Sequence, residues 1–365
     1  MYINSLELKN YRNYDNLFIT FDKGITILYG DNAQGKTNIL EAIYLSGTTK
    51  SHRGSKDKDM IQFNQDESHI RLKLMKNEVG HKIDMHLRKN KNKGVAVDGL
   101  SIHKSGELFG IIHMIFFSPE DLSIVKNGPS ERRRFINLEL CQLNKIYHYN
   151  YVNYNKILNQ RNALLKQINF NKKLLDTLDM WDMYLIEYGT HLIEERENFI
   201  KELNDIVKKI HFHLTGGKEE LVIGYEKNVS IKEYEKKMKS KRDIDLRYQS
   251  TQIGPHRDDM CFYINGIDVR KYGSQGQQRT AALSLKLAEI ELVKKRIHDT
   301  PILLLDDVMS ELDSNRRNYL LESIDGIQTI VTCTGYDDFI KSRLSINQIY
   351  KVTAGKVELL KLNET

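Results

Sequence analysis

The octapeptide GDNAQGKT at residues 30–37 fits the pattern GxxxxGK[ST], and its flanks decide the fold. Residues 25–29 before it (ITILY) form an almost wholly apolar run, which is typical of a strand buried on both faces. In residues 38–47 after it (NILEAIYLSG), apolar residues recur at helical spacing. A strand, a glycine-bounded loop and a helix in this order predict a phosphate-binding loop. A plain glycine turn with an exposed Lys36 is the alternative interpretation.

The residue types of this loop suit a nucleotide triphosphate. Glycines let the backbone wrap so that successive N–H groups point at a β-phosphate, and the N-terminus of the following helix adds partial positive charge. We expect the lysine to bridge the β- and γ-phosphates and the threonine to ligate Mg²⁺. The candidate ATP ligands in this loop are Gly30, Asp31, Asn32, Ala33, Gln34, Gly35, Lys36 and Thr37.

A second apolar run, residues 302–305, ends in two adjacent carboxylates, Asp306 and Asp307. A carboxylate at the end of a buried strand can reach a metal beside the phosphate loop. We therefore expect Asp306 to hold Mg²⁺ through water and Asp307 to polarise the attacking water. Two adjacent carboxylates repel each other unless a cation lies near them, which favours a metal. A solvated strand end with a capping acid is the alternative.

Composition excludes several classes of protein. The 365 residues are 28% charged and 40% hydrophobic, and no stretch approaches the roughly 20 apolar residues that a membrane span requires. The N-terminus lacks the basic and apolar regions of a signal peptide, which predicts a cytoplasmic protein without a membrane partner. Three scattered cysteines predict neither a disulfide framework nor a cysteine zinc site. The net charge of +6 permits a polyanionic partner without requiring one.

Strand patterns occupy both ends of the chain and helical patterns occupy the middle. Residues 70–97 alternate like an antiparallel hairpin pair with a basic tip, whereas residues 130–249 contain no proline and show helical periodicity. We expect a discontinuous α/β head, residues 1–125 and 250–365, with a helical arm inserted at 126–249. The three-to-four spacing from Leu185 to Ile210 fits a short antiparallel coiled coil and an ordinary packed helix equally well.

Several blocks in a fixed order resemble the RecF family of bacterial recombination and DNA-repair ATPases, which is related to the SMC proteins. The phosphate loop alone is shared by many ATPases, whereas the combination of GPHRDD followed by YGSQGQQRT is typical of far fewer families. The blocks span nearly the whole chain: LKNYRNY (8–14), GDNAQGKTN (30–38), SPEDL (118–122), PSERRRF (129–135), GPHRDD (254–259), YGSQGQQRT (272–280) and LLLDDVMSELD (303–313).

The resemblance implies an ABC-type P-loop ATPase head, with a mixed sheet and helices, plus an inserted α-helical arm. In such heads a signature motif contacts the γ-phosphate held by a partner subunit. The residues that match it, expected to act in catalysis, are Ser274, Gly276 and Gln277, although a plain helix-start loop is the alternative. Residues 310–313 (SELD) are similar to the D-loop at the dimer interface. Arg12 of the first block is counted among the candidate ATP ligands.

Three departures from ABC transporters predict slow hydrolysis. Asp307 stands where those proteins carry the longer glutamate, and Cys333 or Thr334 stands where they carry a histidine. Residues 116–121 contain no glutamine at the position of a phosphate-sensing glutamine loop, so Ser118 or Glu120 is expected to serve instead.

Two basic clusters are candidates for DNA contact. The first cluster contains Arg88, Lys89, Lys91 and Lys93, and a solvated turn explains it equally well. The second cluster is Arg132 to Arg134, and ion pairs of these arginines with Glu131 or Glu139 explain it equally well. No base-reading module is evident, so DNA binding is expected to depend on backbone and shape more than on sequence.

The resemblance implies a specific cellular role. It implies an ATP-dependent homodimer that clamps double-stranded or gapped DNA and helps to load the recombinase with RecO and RecR. That role belongs to recombinational repair and replication restart within the SOS response to DNA damage, with weak DNA-stimulated ATP hydrolysis as the reset. The alternatives are the nucleotide-binding subunit of an ABC transporter and an SMC-like nuclease-associated ATPase.

Overall fold

The computed structural model describes residues 1–103, 105–335 and 346–360. These residues form two compact units, one made of residues 1–121 with the described residues from 289 onward, the other of residues 122–288. The second unit is longer than the predicted arm, because residues 250–288 cluster with it. The predicted domain boundaries stay a prediction, and residues 336–345 and 361–365 of the predicted head lie outside the described residues.

Strands lie near both ends of the chain, as the sequence predicts, and also inside the predicted arm. Their bounds are β1 (Tyr2–Tyr11), β2 (Tyr14–Thr20), β3 (Ile25–Tyr29), β4 (Glu67–Lys76), β5 (Val79–Arg88), β6 (Gly94–Val97), β7 (Leu100–Ile102), β8 (Met114–Phe117), β9 (Leu221–Glu226), β10 (Asp259–Ile264), β11 (Ile267–Asp268), β12 (Ile302–Asp306), β13 (Thr329–Cys333), β14 (Ile346–Thr353) and β15 (Lys356–Leu360).

Helices dominate the middle of the chain. Their bounds are α1 (Lys36–Thr48), α2 (Asp57–Met60), α3 (Leu122–Lys126), α4 (Pro129–Leu143), α5 (Lys145–Ile168), α6 (Leu178–Leu214), α7 (Tyr234–Ser240), α8 (Arg242–Tyr248), α9 (Val269–Tyr272), α10 (Gln275–Ile297) and α11 (Ser314–Ser323). In the described part of the chain, none of them is long and apolar enough to cross a bilayer.

The first unit contains a sheet in the order β15-β14-β3-β13-β12-β8. The strands from β14 to β8 are parallel, and β15 is an antiparallel edge strand. The apolar runs of β3 and β12 are buried, which confirms the predicted strands at 25–29 and 302–305, and the short run of β13 is buried beside them. Because carboxyl ends of parallel strands meet at one edge, this topology brings the loops after β3, β12 and β13 together.

A second, antiparallel sheet of this unit has the order β2-β1-β4-β5-β6-β7. Residues of β4 alternate between exposed and buried positions, which confirms the predicted hairpin in residues 70–97. Helix α1 contacts strands of both sheets, and every residue from Ile39 to Thr48 is buried. The phosphate loop is therefore anchored to a helix that is enclosed on all sides.

The second unit combines helices with a small antiparallel sheet, β11-β10-β9. Helix α6 is 37 residues long, about 55 Å, and packs against both α5 and β9. It is thus a helix packed within a mixed unit. The predicted arm is not wholly helical, because β9 lies within it. The six residues of β9 were missed since they form a short run between two strong helical patterns.

A buried arginine interrupts the apolar stripe of α6. Arg196 is 2% exposed and donates hydrogen bonds to Tyr147, Asn137, Asp258 and the carbonyl of Pro255. A buried guanidinium without such partners is costly. The network therefore ties α6 to the GPHRDD segment of the same unit.

Candidate nucleotide-binding site

Lys36 lies at the centre of the phosphate loop. Its ammonium nitrogen donates hydrogen bonds to the carbonyls of Gly30 at 2.5 Å and Asp31 at 2.7 Å. The residue is 7% exposed, and burial lowers the pKa of its ammonium, while Asp307 opposes that shift. The loop thus surrounds a concentrated positive charge, which is the arrangement that a polyphosphate requires.

Two loop positions accept only glycine. Gly30 has φ of 153°, and a Cβ there would lie 2.2 Å from the carbonyl oxygen of Val352. Gly35 has φ of 113°, and a Cβ there would lie 2.5 to 2.9 Å from Asn13 and the hydroxyl of Tyr14. Asn13 donates a hydrogen bond to the carbonyl of Gln34, and the Tyr14 hydroxyl donates one to the carbonyl of Gly35. The LKNYRNY block therefore helps to hold the conformation of the phosphate loop.

The proposed metal ligands meet across two elements. The Thr37 hydroxyl, at the start of α1, donates to Oδ1 of Asp306 at 2.8 Å, and the Thr332 hydroxyl of β13 donates to the same oxygen at 2.7 Å. Mg²⁺ prefers hydroxyl, carboxylate and water oxygens, usually with one or two carboxylates beside substrate phosphates. The residues present therefore fit Mg²⁺ at this point.

Asp307 adopts an unusual backbone conformation. Its φ is 52° and its ψ is 26°, and its amide donates to the hydroxyl and carbonyl of Thr332. Such left-handed conformations are rare outside Gly, Asn and Asp. The turn places the Asp307 side chain on the wall of the same cavity as Lys36. Aspartate at this position thus meets both a conformational and a chemical requirement.

Cys333 is one of the two residues, with Thr334, that are candidates for the single position where ABC transporters carry a histidine. It is buried, and burial raises the pKa of its thiol to about 12. A neutral thiol cannot replace the charge or the proton transfer of an imidazole near neutral pH. This supports the expectation of slow hydrolysis.

A cavity of about 370 Å³ brings these groups together. Its wall includes loop residues 32–38, Asp306 at the end of β12, Asp307 directly after it, Ser118 and Glu120. Ser118 and Glu120 thus line the cavity, and the role of either residue in place of the glutamine loop stays a prediction. Sequence reasoning missed two wall residues, His52 and Arg53, which follow α1. They stand in a polar turn that carries no motif of its own, so only the fold reveals them.

Arg12 is engaged elsewhere. Its guanidinium forms a bidentate ion pair with Glu41 of α1, at 2.8 and 2.9 Å, and donates to the Ser55 hydroxyl and the Asp59 carbonyl. Among the described residues that line the cavity, Arg12 is absent. Its assignment as an ATP ligand stays a prediction, and its contacts indicate a structural role.

We expect Arg12→Ala to destabilise the fold by about 3 kcal/mol, because it leaves the fully buried Glu41 carboxylate without its cation. Burial alone would raise the pKa of Glu41, but hydrogen bonds from Arg12 and Ser51 lower it. A depressed pKa stabilises the fold above the ordinary carboxyl value, and this contribution is lost as the pH falls through the depressed value.

Urea unfolding at neutral and acidic pH measures this effect. The difference between parent and Arg12→Ala should shrink at acidic pH, where Glu41 is protonated in both. Arg53→Ala is the matched control, since it removes an exposed arginine of the cavity wall and should leave stability unchanged. A stable Arg12→Ala variant with weakened ATP binding would instead support Arg12 as a ligand.

The signature residues lie in the second unit, at the N-terminus of α10. The Ser274 amide donates to Oε1 of Gln277 and the Gln277 amide donates to the Ser274 hydroxyl, which is a reciprocal capping box. Gln277 also donates from Nε2 to Glu219. Ser274 and Gly276 are exposed, and the Ser274 hydroxyl keeps its hydrogen as a donor. The exposed helix start can therefore receive an anion from another molecule.

The Arg132 to Arg134 cluster is largely occupied within the second unit. Arg132 is 2% exposed and forms a bidentate ion pair with Asp259, and Arg133 donates to the carbonyl of Asp258. Arg134 lies 3.8 Å from Glu131. Pairing thus accounts for these arginines, although Arg132 has a distant partner and not Glu131 or Glu139.

The other basic cluster lies between β5 and β6. Arg88 donates to the carbonyl of Asn92, Lys89 lies 3.3 Å from Asp66, and Lys93 lies 2.9 Å from Asp57. Three of its four cations therefore have partners, and DNA contact by this cluster stays a prediction.

Comparison with known proteins decides the family. The model of the RecF/RecN/SMC N-terminal domain matches residues 2–358. The "DNA replication and repair protein RecF" of Lachnoclostridium phytofermentans is 62% identical over 98% of this chain and 99% of its own length. The protein of the same name from Agathobacter rectalis is 58% identical over 99% of both chains. The chain belongs to the RecF family.

Solved structures agree with this RecF assignment. The recombination mediator protein RecF with ATP, from the RecFOR pathway, is 36% identical, covers 99% of this chain and 98% of its own, and has a TM-score of 0.92. The Smc head domain of Pyrococcus furiosus, 16% identical with a TM-score of 0.58, covers 99% of this chain and 96% of its own. It shares the fold alone, and the fold is that of an ABC-type ATPase head, as predicted.

Proposed function

We propose that this chain binds ATP with Mg²⁺ in the cavity beside the phosphate loop and uses the nucleotide as a switch in DNA repair. The observation that carries the proposal is the convergence of Lys36, Thr37 and Asp306 on one cavity in a RecF-family chain. A RecF structure with ATP and 36% identity supports the same ligand here.

The role that we propose for each residue of the nucleotide cavity follows from where its side chain lies. Lys36 exchanges its two carbonyl partners for phosphate oxygens, and the backbone N–H groups of the loop orient the phosphates. Thr37 and Asp306 would hold Mg²⁺, which would neutralise charge on the phosphates when it is bound. Asp307 orients and polarises the attacking water. Because neither Cys333 nor Thr334 is a histidine, and Asp307 is shorter than glutamate, we expect slow turnover and a long-lived ATP-bound state.

We further propose that ATP joins two copies of the chain and that the dimer holds DNA at gaps. The exposed capping box at Ser274 supports this step, because it offers an anion site that another copy's nucleotide can occupy. A related RecF is described as a recombination mediator of the RecFOR pathway. By this relationship the dimer acts with RecO and RecR to load the recombinase, with DNA stimulating weak hydrolysis.

Sedimentation in the analytical ultracentrifuge tests the proposed function. The chain is run alone, with a slowly hydrolysed ATP analogue, and with the analogue plus gapped or fully duplex DNA. We expect monomers without nucleotide, dimers with it, and a DNA-bound dimer that favours the gapped substrate. Monomers under every condition would overturn the switch. The 62% identity to a RecF protein over almost the whole chain favours this role over a transporter subunit or a nuclease-associated ATPase.

We expect Asp307→Asn to bind ATP nearly as tightly as the parent and to turn it over at least about a hundredfold more slowly. The amide fits the same space and tolerates the left-handed backbone, but it cannot polarise water as a carboxylate does. Phosphate release measures turnover, and titration with a fluorescent ATP analogue measures binding.

Glu120→Gln is the comparison variant, because Glu120 is another carboxylate of the cavity wall and, unlike Asp307, it is exposed. It should turn over ATP at close to the parent rate. Unchanged turnover in Asp307→Asn together with slow turnover in Glu120→Gln would transfer the catalytic role to Glu120.

A further inference from the structure

Three metal-ligating side chains meet on the exposed face of the antiparallel sheet, away from the nucleotide cavity. They are Glu67 and His69 of β4 and His86 of β5. One ligand atom from each residue lies within 4.8 Å of the others. Cysteine spacing predicted no zinc site, and histidines that face each other on paired strands leave no comparable spacing signal in the sequence.

Strand register creates this cluster. His69 and His86 are directly opposed in the β4–β5 pair, and Glu67 lies two residues before His69, on the same face of β4. The imidazoles stack with centroids 4.1 Å apart and planes 21° apart. Because stacking restricts both imidazole rings before an ion binds, less side-chain conformational entropy is lost on binding.

The potential ligand atoms converge on the carboxylate of Glu67. Nε2 of His86 lies 2.8 Å from Oε2 of Glu67, and Nε2 of His69 lies 3.7 Å from Oε1. Bonds of about 2.0 to 2.2 Å from zinc to histidine nitrogens and a carboxylate oxygen require ligand atoms roughly this close together. Small rotations of the three side chains would bring their ligand atoms to bonding distance from one ion.

We propose that Glu67, His69 and His86 form a binding site for a borderline divalent transition metal ion, with Zn²⁺ the best match. Two imidazoles and one carboxylate are a donor set that suits Zn²⁺ and its neighbours, whereas Mg²⁺ and Ca²⁺ prefer oxygen donors alone. The three residues are partly exposed, so further coordination positions face solvent and can take water or an oxygen of a bound molecule.

Glu67 is the negatively charged member of the set, so its carboxylate would offset part of the charge of a bound ion.

Metal binding is tested on the full chain, purified without a histidine tag and stripped with a chelator. Zn²⁺ affinity is measured by competition with a chromophoric chelator in excess Mg²⁺, which occupies the oxygen ligands of the nucleotide site. Co²⁺ is then used as a spectroscopic probe, because its visible absorption reports the number and geometry of its ligands. We expect one tight site per chain that is present without ATP.

The variants His69→Ala, His86→Ala and Glu67→Gln should each weaken Zn²⁺ binding by at least about tenfold and change the Co²⁺ spectrum, since removal even of groups that only orient a ligand costs that much. His81→Ala is the matched control, because His81 lies on β5 like His86 but forms an ion pair with Asp98. Thermal unfolding confirms that each variant is folded.

A second control addresses the other cluster of potential ligands, Glu226, Asp259 and Cys261. Asp259 is already held by Arg132, so Cys261→Ser should leave Zn²⁺ affinity unchanged. The proposal is overturned if the folded parent binds no Zn²⁺, if the three variants bind it as tightly as the parent, or if Cys261→Ser alone removes the site. Because none of these measurements uses ATP, their outcome is independent of the proposed function.

Discussion

Replacing Lys36 with alanine is expected to weaken ATP binding by two orders of magnitude or more. The ammonium is buried in the loop and donates two hydrogen bonds to loop carbonyls, and we propose that phosphate oxygens replace these carbonyls when nucleotide binds. A hydrogen bond to a charged group contributes about 1.5 to 3 kcal/mol, and two of them are lost here. Nucleotide-dependent dimerisation and DNA repair should be lost with binding. Titration with a fluorescent ATP analogue gives the affinity.

Lys58→Ala is the control for charge, because it removes an exposed lysine of α2 that is absent from the cavity wall among the described residues. It should bind ATP as the parent does. Thermal unfolding separates lost binding from lost folding, since the carbonyls of Gly30 and Asp31 also lose a donor in Lys36→Ala. A folded Lys36→Ala variant with parental affinity would show that the phosphate-loop assignment is wrong.

The parallel sheet was predictable because its strands are continuous apolar runs. Residues 25–29, 302–305 and 329–333 have to be buried on both faces, and no other element suits runs this short. The helix after the phosphate loop was predictable from its spacing. The small sheet of the second unit was not, because β9 lies between two helical patterns and pairs with β10, more than thirty residues later.

The nucleotide site was predictable where a motif fixes the chemistry locally. Loop residues 32–37, Asp306 at the end of β12 and Asp307 after it are such cases, and the structure brings them to one cavity. His52 and Arg53 were not predictable, because only the course of the chain after α1 brings them to the wall. Arg132 shows the same limit, since its ion-pair partner Asp259 is 127 residues away.

The second large effect is expected from a substitution in the signature motif, which should prevent dimerisation. Ser274→Arg should bind ATP as a monomer, because the phosphate loop is intact, yet fail to dimerise, because a bulky cation enters the interface beside the other subunit's γ-phosphate. The change also removes the helix cap that Ser274 gives Gln277, which costs about 1 kcal/mol. Ser274→Ala loses the same cap without adding bulk, so it separates the two effects and should dimerise better than Ser274→Arg.

Mixing the two variants tests whether each ATP site is shared between subunits. Lys36→Ala retains an intact signature and Ser274→Arg retains an intact phosphate loop, so a mixed dimer can complete one of its two sites while either variant alone completes none. We expect analytical ultracentrifugation with a slowly hydrolysed ATP analogue to detect a weak dimer in the mixture and monomers in each separate sample. A Ser274→Arg homodimer as strong as the parent's would place the signature away from the interface, because an arginine could not be accommodated beside a bound γ-phosphate without cost.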